Sequence, residues 1–221
     1  MLARDLISDI IPALKTSDSG QDALNWMEAF RVSHFPIVNN KVFLGLVSDG
    51  DIYDLNSANE PLGNHTLSLM KPYVLEHQHI YDVMELSARL KLSLIPVLNS
   101  ENEYLGVITQ QDLVHHFSDL LAVHTTGGLL QIEVGLRDYS LSEIARIVED
   151  ENCKILSLYL TQDHLLDKFY ITIKLNRSDI SPIISAFERY GYNIRASYGS
   201  KVEDDDKVME NYESLLRYLN V

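Results

Sequence analysis

One cysteine, Cys153, stands in 221 residues. An intrachain disulfide and a cysteine-ligated zinc site are both excluded. Long apolar runs are lacking as well, and none approaches the roughly 18 residues a membrane helix needs. Near the N-terminus, Arg4, Asp5 and Asp9 break any candidate signal-peptide core, so a reducing cytoplasm is the expected compartment. Positive charge is scarce: 18 Lys and Arg face 32 Asp and Glu, a net charge of −14. That field repels phosphate backbones and anionic lipid heads, which argues against nucleic acid or a membrane surface as a main partner.

Catalytic signatures are missing too. The sequence has no P-loop lysine motif, no nucleophile elbow and no dinucleotide fingerprint, so a non-catalytic protein is expected. Cys153 opens the apolar run "CKILSLYL" and reads as packing. His77 and His79 are two apart and His115 and His116 adjacent, but no acid or thiol cluster accompanies them, so no metal is expected. What remains is ordinary: 46% hydrophobic and 23% charged residues, a soluble globular composition.

An internal repeat organises the first half. Val32-Ser33-His34-Phe35-Pro36-Ile37-Val38 matches Leu92-Ser93-Leu94-Ile95-Pro96-Val97-Leu98 at an offset of 60. Leu44 to Ile52, "LGLVSDGDI", matches Leu105 to Leu113, "LGVITQQDL", at 61. The extra residue falls in a turn sequence between apolar runs, where a hairpin loop tolerates it. Ahead of each apolar run, Ala23, Leu24, Met27 and Phe30 repeat as Val83, Met84, Ser87 and Leu90 at helical spacing. Each copy therefore reads as short strand, helix, strand, hairpin, strand, helix. The short strands fall near Ala13 to Thr16 and Tyr73 to Glu76. A unit of about 50 residues buries too little apolar surface to stand alone. Two copies sharing a core form one pseudo-twofold module, with copies at 1–60 and 61–124.

The pattern Gly45…Ser48…Asp51, repeated as Gly106…Thr109…Asp112, carries the chemistry. Ser or Thr followed three residues later by an acid is a capping box at a strand-to-helix junction. A carboxylate in a first helical turn can also accept both vicinal hydroxyls of a ribose. The two roles are compatible.

These residues closely resemble the cystathionine-β-synthase (CBS) domain, twice in register, which makes a tandem pair or Bateman module. The resemblance implies an adenosine-containing ligand, of the AMP, ADP, ATP or S-adenosylmethionine class, in clefts that mix residues of both copies. Carried over, one cleft combines Thr16, Val32, Ser33 and His34 with Ile108, Thr109 and Asp112. The other combines His77, Leu92, Ser93 and Leu94 with Val47, Ser48 and Asp51. The first matches the family pattern better. Nucleotide-sensing members place basic residues just before the Pro-containing strand, where this chain has only Ser33-His34 and Ser93-Leu94. Tight triphosphate binding is not expected, and Arg31 and Lys91 read as helix ends, where cations suit the dipole.

After Thr125-Thr126-Gly127-Gly128 the pattern changes. Leu130 to Val134 alternates as a half-buried strand, and Ser140 to Glu143 is a capping box. Ile155 to Leu160 and Phe169 to Leu175 follow as strands around a polar turn at Gln162 to Asp167. Asp179 opens a second helix that Gly191 ends, and Tyr192 to Tyr198 is a last strand. The β-α-β-β-α-β order makes the fold class α+β: a CBS pair followed by a ferredoxin-like domain at 128–200. That half resembles an ACT domain, although the loop Arg137-Asp138-Tyr139-Ser140 lacks the glycine of amino-acid-binding members. Pairing of sheets or helices is expected of it rather than effector binding. The segment 201–221 joins the acid run Glu203 to Asp206 to an apolar stripe at Val208, Met209, Tyr212, Leu215, Leu216 and Leu219, an amphipathic helix. The whole arrangement is similar to bacterial acetoin-utilisation accessory proteins.

The expected function is that of a regulatory sensor, a homodimer that signals to its mate or to a metabolic enzyme. The alternative is a ligand-free structural or dimerisation module, in which the Ser/Thr…Asp pairs only cap helices.

Overall fold

Ser19 and Asp22 exchange bonds at a helix start, each backbone N–H reaching the other's side chain at 3.1 Å. Sixty residues on, Asp82 takes the His79 N–H in the same way, while His79 Nδ1 accepts from Tyr81 N–H. The two caps open helices with one burial pattern: Gly20, Ala23 and Met27 in the first, Ile80, Val83 and Ser87 in the second. The sequence repeat is thus a structural one.

The computed structural model describes residues 1–55, 57–67, 69–135, 139–163 and 168–199. Its contacts divide the chain into two units, Met1–Phe117 and Ser118–Val221. The elements that follow the first residues are α1 (Gly20–Phe30), β1 (His34–Asn39), β2 (Val42–Ser48), α2 (Asp49–Tyr53), β3 (Val74–Leu75), α3 (Ile80–Leu90), β4 (Leu94–Leu98), β5 (Tyr104–Thr109) and α4 (Gln110–Leu120). Hairpins β1–β2 and β4–β5 share their register: His34 faces Ser48 as Leu94 faces Thr109, with a bulge after Ile37 and after Val97. The short strand expected in each copy is Val74–Leu75 beside β4 and, in the first copy, a single parallel bridge from Leu14 to Ile37. Both helices before the hairpins end on a left-handed cation, Arg31 at φ 54° and Lys91 at φ 53°.

Each copy is completed by the segment that precedes the other. Residues 1–8 lie on the second copy, through Ala3 N–H to Gln78 O and Ser8 N–H to Val107 O. Their side chains Ala3 and Leu6 are buried with Val74, Ile80 and Ile95. The segment between the copies does the same for the first: Gly63 N–H reaches Thr16 O, and Leu46 N–H reaches Met70 O. The motif glycines sit under these crossing strands. A Cβ on Gly45 would lie 2.6 Å from Leu69 Cβ, and one on Gly106 2.5 Å from Ile7 Cγ2. Glycine is required there by close approach.

The hairpins meet across the pseudo-twofold axis. Phe35, Ile37, Leu46 and Val47 share one buried cluster with Leu92, Leu94, Leu98 and Val107. Away from His34, Tyr104 N–H donates to Lys41 O, Lys41 pairs with Glu103 at 3.4 Å, and Phe43 stacks on Tyr104 with centroids 6.4 Å apart.

In the second unit, β6 (Leu129–Val134), α5 (Leu141–Asp150), β7 (Ile155–Asp163), β8 (Lys168–Leu175), α6 (Ser181–Arg189) and β9 (Asn193–Tyr198) follow in the expected βαββαβ order. The antiparallel sheet runs β7-β8-β6-β9, the ferredoxin-like arrangement. Leu130, Ile132, Ile171 and Ile173 pack with Ile144, Val148 and Phe187 of the helices. The helix expected to open at Asp179 begins at Ser181, because Asp179 accepts from the Ser181 N–H at 3.1 Å and so sits outside the first turn. Cys153 is buried, its thiol donating to Asn176 Oδ1 at 3.1 Å. No helix among the described residues is long and apolar enough to cross a membrane. The expected C-terminal helix, its acid run and its apolar stripe lie outside the described residues, as do Arg137, Asp138 and residues 164–167 of the expected polar turn.

The Tyr104 hydroxyl is buried with no hydrogen-bond partner among the described residues, and burial raises its pKa. The first copy has Phe43 at the same place. An unpaired buried hydroxyl costs on the order of 1–3 kcal/mol. Tyr104→Phe is therefore expected to leave stability unchanged or raise it by about 1 kcal/mol in urea denaturation. A loss larger than that would show that the hydroxyl is bonded after all.

Candidate functional site

The two motif acids sit where strand turns into helix. Thr109 ends β5 and its Oγ1 accepts the Asp112 N–H at 3.0 Å, while donating its own proton to Asp112 Oδ2 at 2.6 Å. The Thr109 N–H reaches the same oxygen at 3.2 Å. Ser48 and Asp51 form the identical box, at 3.1, 2.7 and 2.8 Å. The capping reading holds in both copies. It also leaves a free edge: both bonds to the Asp112 carboxylate fall on Oδ2, and Oδ1 has no partner among the described residues.

A cleft of about 510 Å³ opens beside Asp112. Small-molecule sites run from roughly 300 to 1,000 Å³. One wall is the start of α4, with Thr109, Gln110, Gln111, Asp112 and His115. Facing it is the end of α1, with Phe30, Arg31 and Val32, joined by Ser93 of the second copy. Ser8, Ile10 and Ile11, from the segment ahead of the first short strand, complete the lining. Both copies therefore contribute. Apolar, acidic and basic residues line one volume.

Of the seven residues expected in this cleft, Val32, Thr109 and Asp112 line it. Thr16 is bonded to Asn39 instead, its Oγ1 accepting from Nδ2 at 2.9 Å. Ile108 is fully enclosed in the second copy's core. Ser33 and His34 give their backbone N–H groups to Ser93 Oγ, each at 3.0 Å. Of the seven expected in the other cleft, Ser93 lines the first one. Val47, Leu92 and Leu94 have 0% exposure and belong to the shared core. Ser48 and Asp51 are half-buried at their cap, and His77 is exposed.

Sequence reasoning missed Arg31 as a lining residue, having read it only as a helix end. Both roles hold: its backbone N–H caps α1 on Glu28 O and Met27 O, and the residue lines the cleft. Ser8, Ile10 and Ile11 carried no pattern that distinguished them. Among the described residues no group of His, Cys, Asp and Glu is arranged to hold a metal ion.

Ser93 ties the cleft to the axis. Its Oγ accepts from Ser33 and His34 and lies 3.0 Å from His34 Nδ1, which also takes the Ser93 N–H at 3.4 Å. With two donors already on Oγ, the hydroxyl proton completes the set by going to Nδ1, so the ring carries its proton on Nε2. Burial lowers the His34 pKa, against the opposing pull of Asp49 and Asp51. Protonation would put a proton on Nδ1 and break the cluster. The fold thus holds the neutral ring. Its contribution is fully present above 6.5 and is lost as pH falls through the depressed folded value. Thermal stability is expected to drop on going from pH 7 to pH 5, and less steeply in His34→Asn, whose amide oxygen can accept in place of Nδ1. Parallel pH profiles for the two proteins would contradict this account of the cluster.

Comparison with known proteins supplies the family. The model of the CBS domain matches residues 3–57 and again 68–119. Similar solved structures include a CBS domain pair/ACT domain protein from Thermotoga maritima, 20% identical, covering 55% of this chain and 99% of that one, with a TM-score of 0.49. A protein assigned to acetoin utilization from Vibrio cholerae is 25% identical over 56% of this chain and 95% of its own, at a TM-score of 0.49. CBSX2, solved in complex with AMP, is 19% identical over 53% and 96%, at 0.46. The repeat read from the sequence, the paired hairpins and the family match agree: the chain carries two CBS domains in tandem.

Proposed function

We propose that this chain is a non-catalytic regulatory protein that binds one adenosine-containing ligand in the cleft between its CBS domains. The observation that carries the reading is the convergence on one cleft of the Asp112 carboxylate with the apolar Val32, Ile10 and Ile11. Oδ1 is suited to accept a ribose hydroxyl, while Thr109 holds the carboxylate through Oδ2. The apolar residues offer a surface for a purine, and backbone groups near Val32 can read its edge. Because both copies line the cleft, a ligand that prefers one spacing of the copies shifts the population toward that spacing. The ACT-like half and a dimer mate, or a metabolic enzyme, would receive the change.

The rival reading, a ligand-free structural module, draws on the same cap: every bond of the Thr109–Asp112 box is satisfied without a ligand. Thermal unfolding with AMP, ADP, ATP, adenosine or S-adenosylmethionine separates the two. A ligand at 100 times its Kd adds about 2.7 kcal/mol. At least one member of this set is expected to raise Tm, and Asp112→Ala is expected to abolish the shift while costing about 1 kcal/mol of stability through the lost cap. No shift with any of the five would favour the structural reading, and an undiminished one in Asp112→Ala would show that the ligand does not seat on Asp112.

A further inference from the structure

Both walls of the cleft are fixed to one serine. Ser93 lines the cleft itself, and its carbonyl accepts the N–H of Gln110, from the α4 wall, at 3.1 Å. Its hydroxyl oxygen accepts at 3.0 Å the N–H of Ser33, the residue that follows Val32 of the α1 wall. The His34 N–H reaches the same oxygen at 3.0 Å. His34 Nδ1 lies 3.0 Å from that oxygen and takes the Ser93 N–H at 3.4 Å. The tie therefore joins the first copy to the second. Its backbone part is symmetric, since Asp49 N–H meets Ser33 O at 3.1 Å as Gln110 N–H meets Ser93 O. Its imidazole part is not. By the repeat, Leu94 stands where His34 does, and a leucine side chain has no acceptor to offer.

We infer that His34 is a positioning residue for the ligand, holding Ser93 and through it the two walls, so that ligand binding is linked to loss of a proton from the ring. This rests on the adenosine reading above and adds its regulation by pH. With its proton on Nε2, the ring offers Nδ1 to the Ser93 hydroxyl and N–H. A proton on Nδ1 turns that acceptor into a donor. The Ser93 N–H then faces another donor, and the hydroxyl must turn its own proton away from the ring. The point to which both walls are fixed is lost. Three groups besides Ser93 face the ring. Ser48 lies opposite His34 in the β1–β2 register and carries no charge. Burial lowers the pKa of the ring, outweighing Asp49 and Asp51 of α2, which favour its charged form. A ligand that touches both walls prefers the neutral form, and by linkage it weakens the hold of the ring on a proton.

Isothermal titration with adenosine, which has no phosphate to titrate over the same range, tests the inference in the full chain. The His34 ring is followed by NMR in the same protein. Adenosine affinity is expected to be constant above the pH at which the ring titrates. One pH unit below that point it should be about tenfold weaker, in proportion to the fraction of chains left with a neutral ring. Saturating adenosine should lower the titration point of the ring. His34→Asn, whose amide oxygen can accept in place of Nδ1, should bind within about twofold of wild type at high pH and keep that affinity on acidification. A flat wild-type profile through the titration of the ring, an equally steep one in His34→Asn, or a titration point unmoved by adenosine would each overturn the inference and leave the adenosine reading standing. Adenosine that binds at no pH would count against that reading itself.

Discussion

Sharing of one apolar core across the pseudo-twofold axis is the constraint on which the first unit depends. A copy of about 50 residues cannot bury enough surface to offset its chain entropy. The solution here is mutual. Leu92, Leu94, Leu98 and Val107 lie in the same cluster as Phe35, Ile37 and Leu46. The segments ahead of each copy then cross to the opposite hairpin, where Gly45 and Gly106 let them approach. A cleft between the copies is a by-product of this packing. The end of α1, the start of α4 and one crossing segment line it, with Ser93.

The cap engages one oxygen of the motif acid, and the proposed ligand contact uses the other. Capping consumes Oδ2 of Asp112, together with the Thr109 hydroxyl and both backbone N–H groups. Those bonds fix the carboxylate before any ligand arrives. A ligand that meets Oδ1 then loses little to ordering the protein, the usual benefit of preorganisation. Ser93 has a comparable double place. It lines the cleft and accepts from the Ser33 and His34 backbones at the axis. The cleft wall and the axis meet at that hydroxyl.

Much of this was legible in the sequence, and the reasons are physical. The repeat at 60 and 61 carried the hairpin registers, because a strand slipped by one residue would turn its apolar side chains to water. Ser48–Asp51 and Thr109–Asp112 announced their caps by spacing alone. The βαββαβ order of the second unit followed from alternation and caps, with an error of two residues where Asp179 caps from outside the helix. Side-chain destinations were less legible. Ile108 and Leu94 look like cleft residues by motif position, yet β4 and the end of β5 are buried on both faces, which takes both side chains into core clusters. Arg31 looked like a plain helix end because its left-handed conformation, the feature that brings the end of α1 to the cleft, has no signature without glycine. Thr16 found Asn39, a partner 23 residues away that no local pattern specifies.

The central claim is that an adenosine-type ligand seats on Asp112 between the two CBS domains. A crystal structure of the chain grown with AMP examines it directly. The account predicts density for one nucleotide per chain, its ribose hydroxyls within hydrogen-bond distance of Asp112 Oδ1 and its base against Val32, with the Thr109–Asp112 cap intact. A nucleotide bound elsewhere on the chain, or a cleft holding only water at saturating AMP, would contradict it.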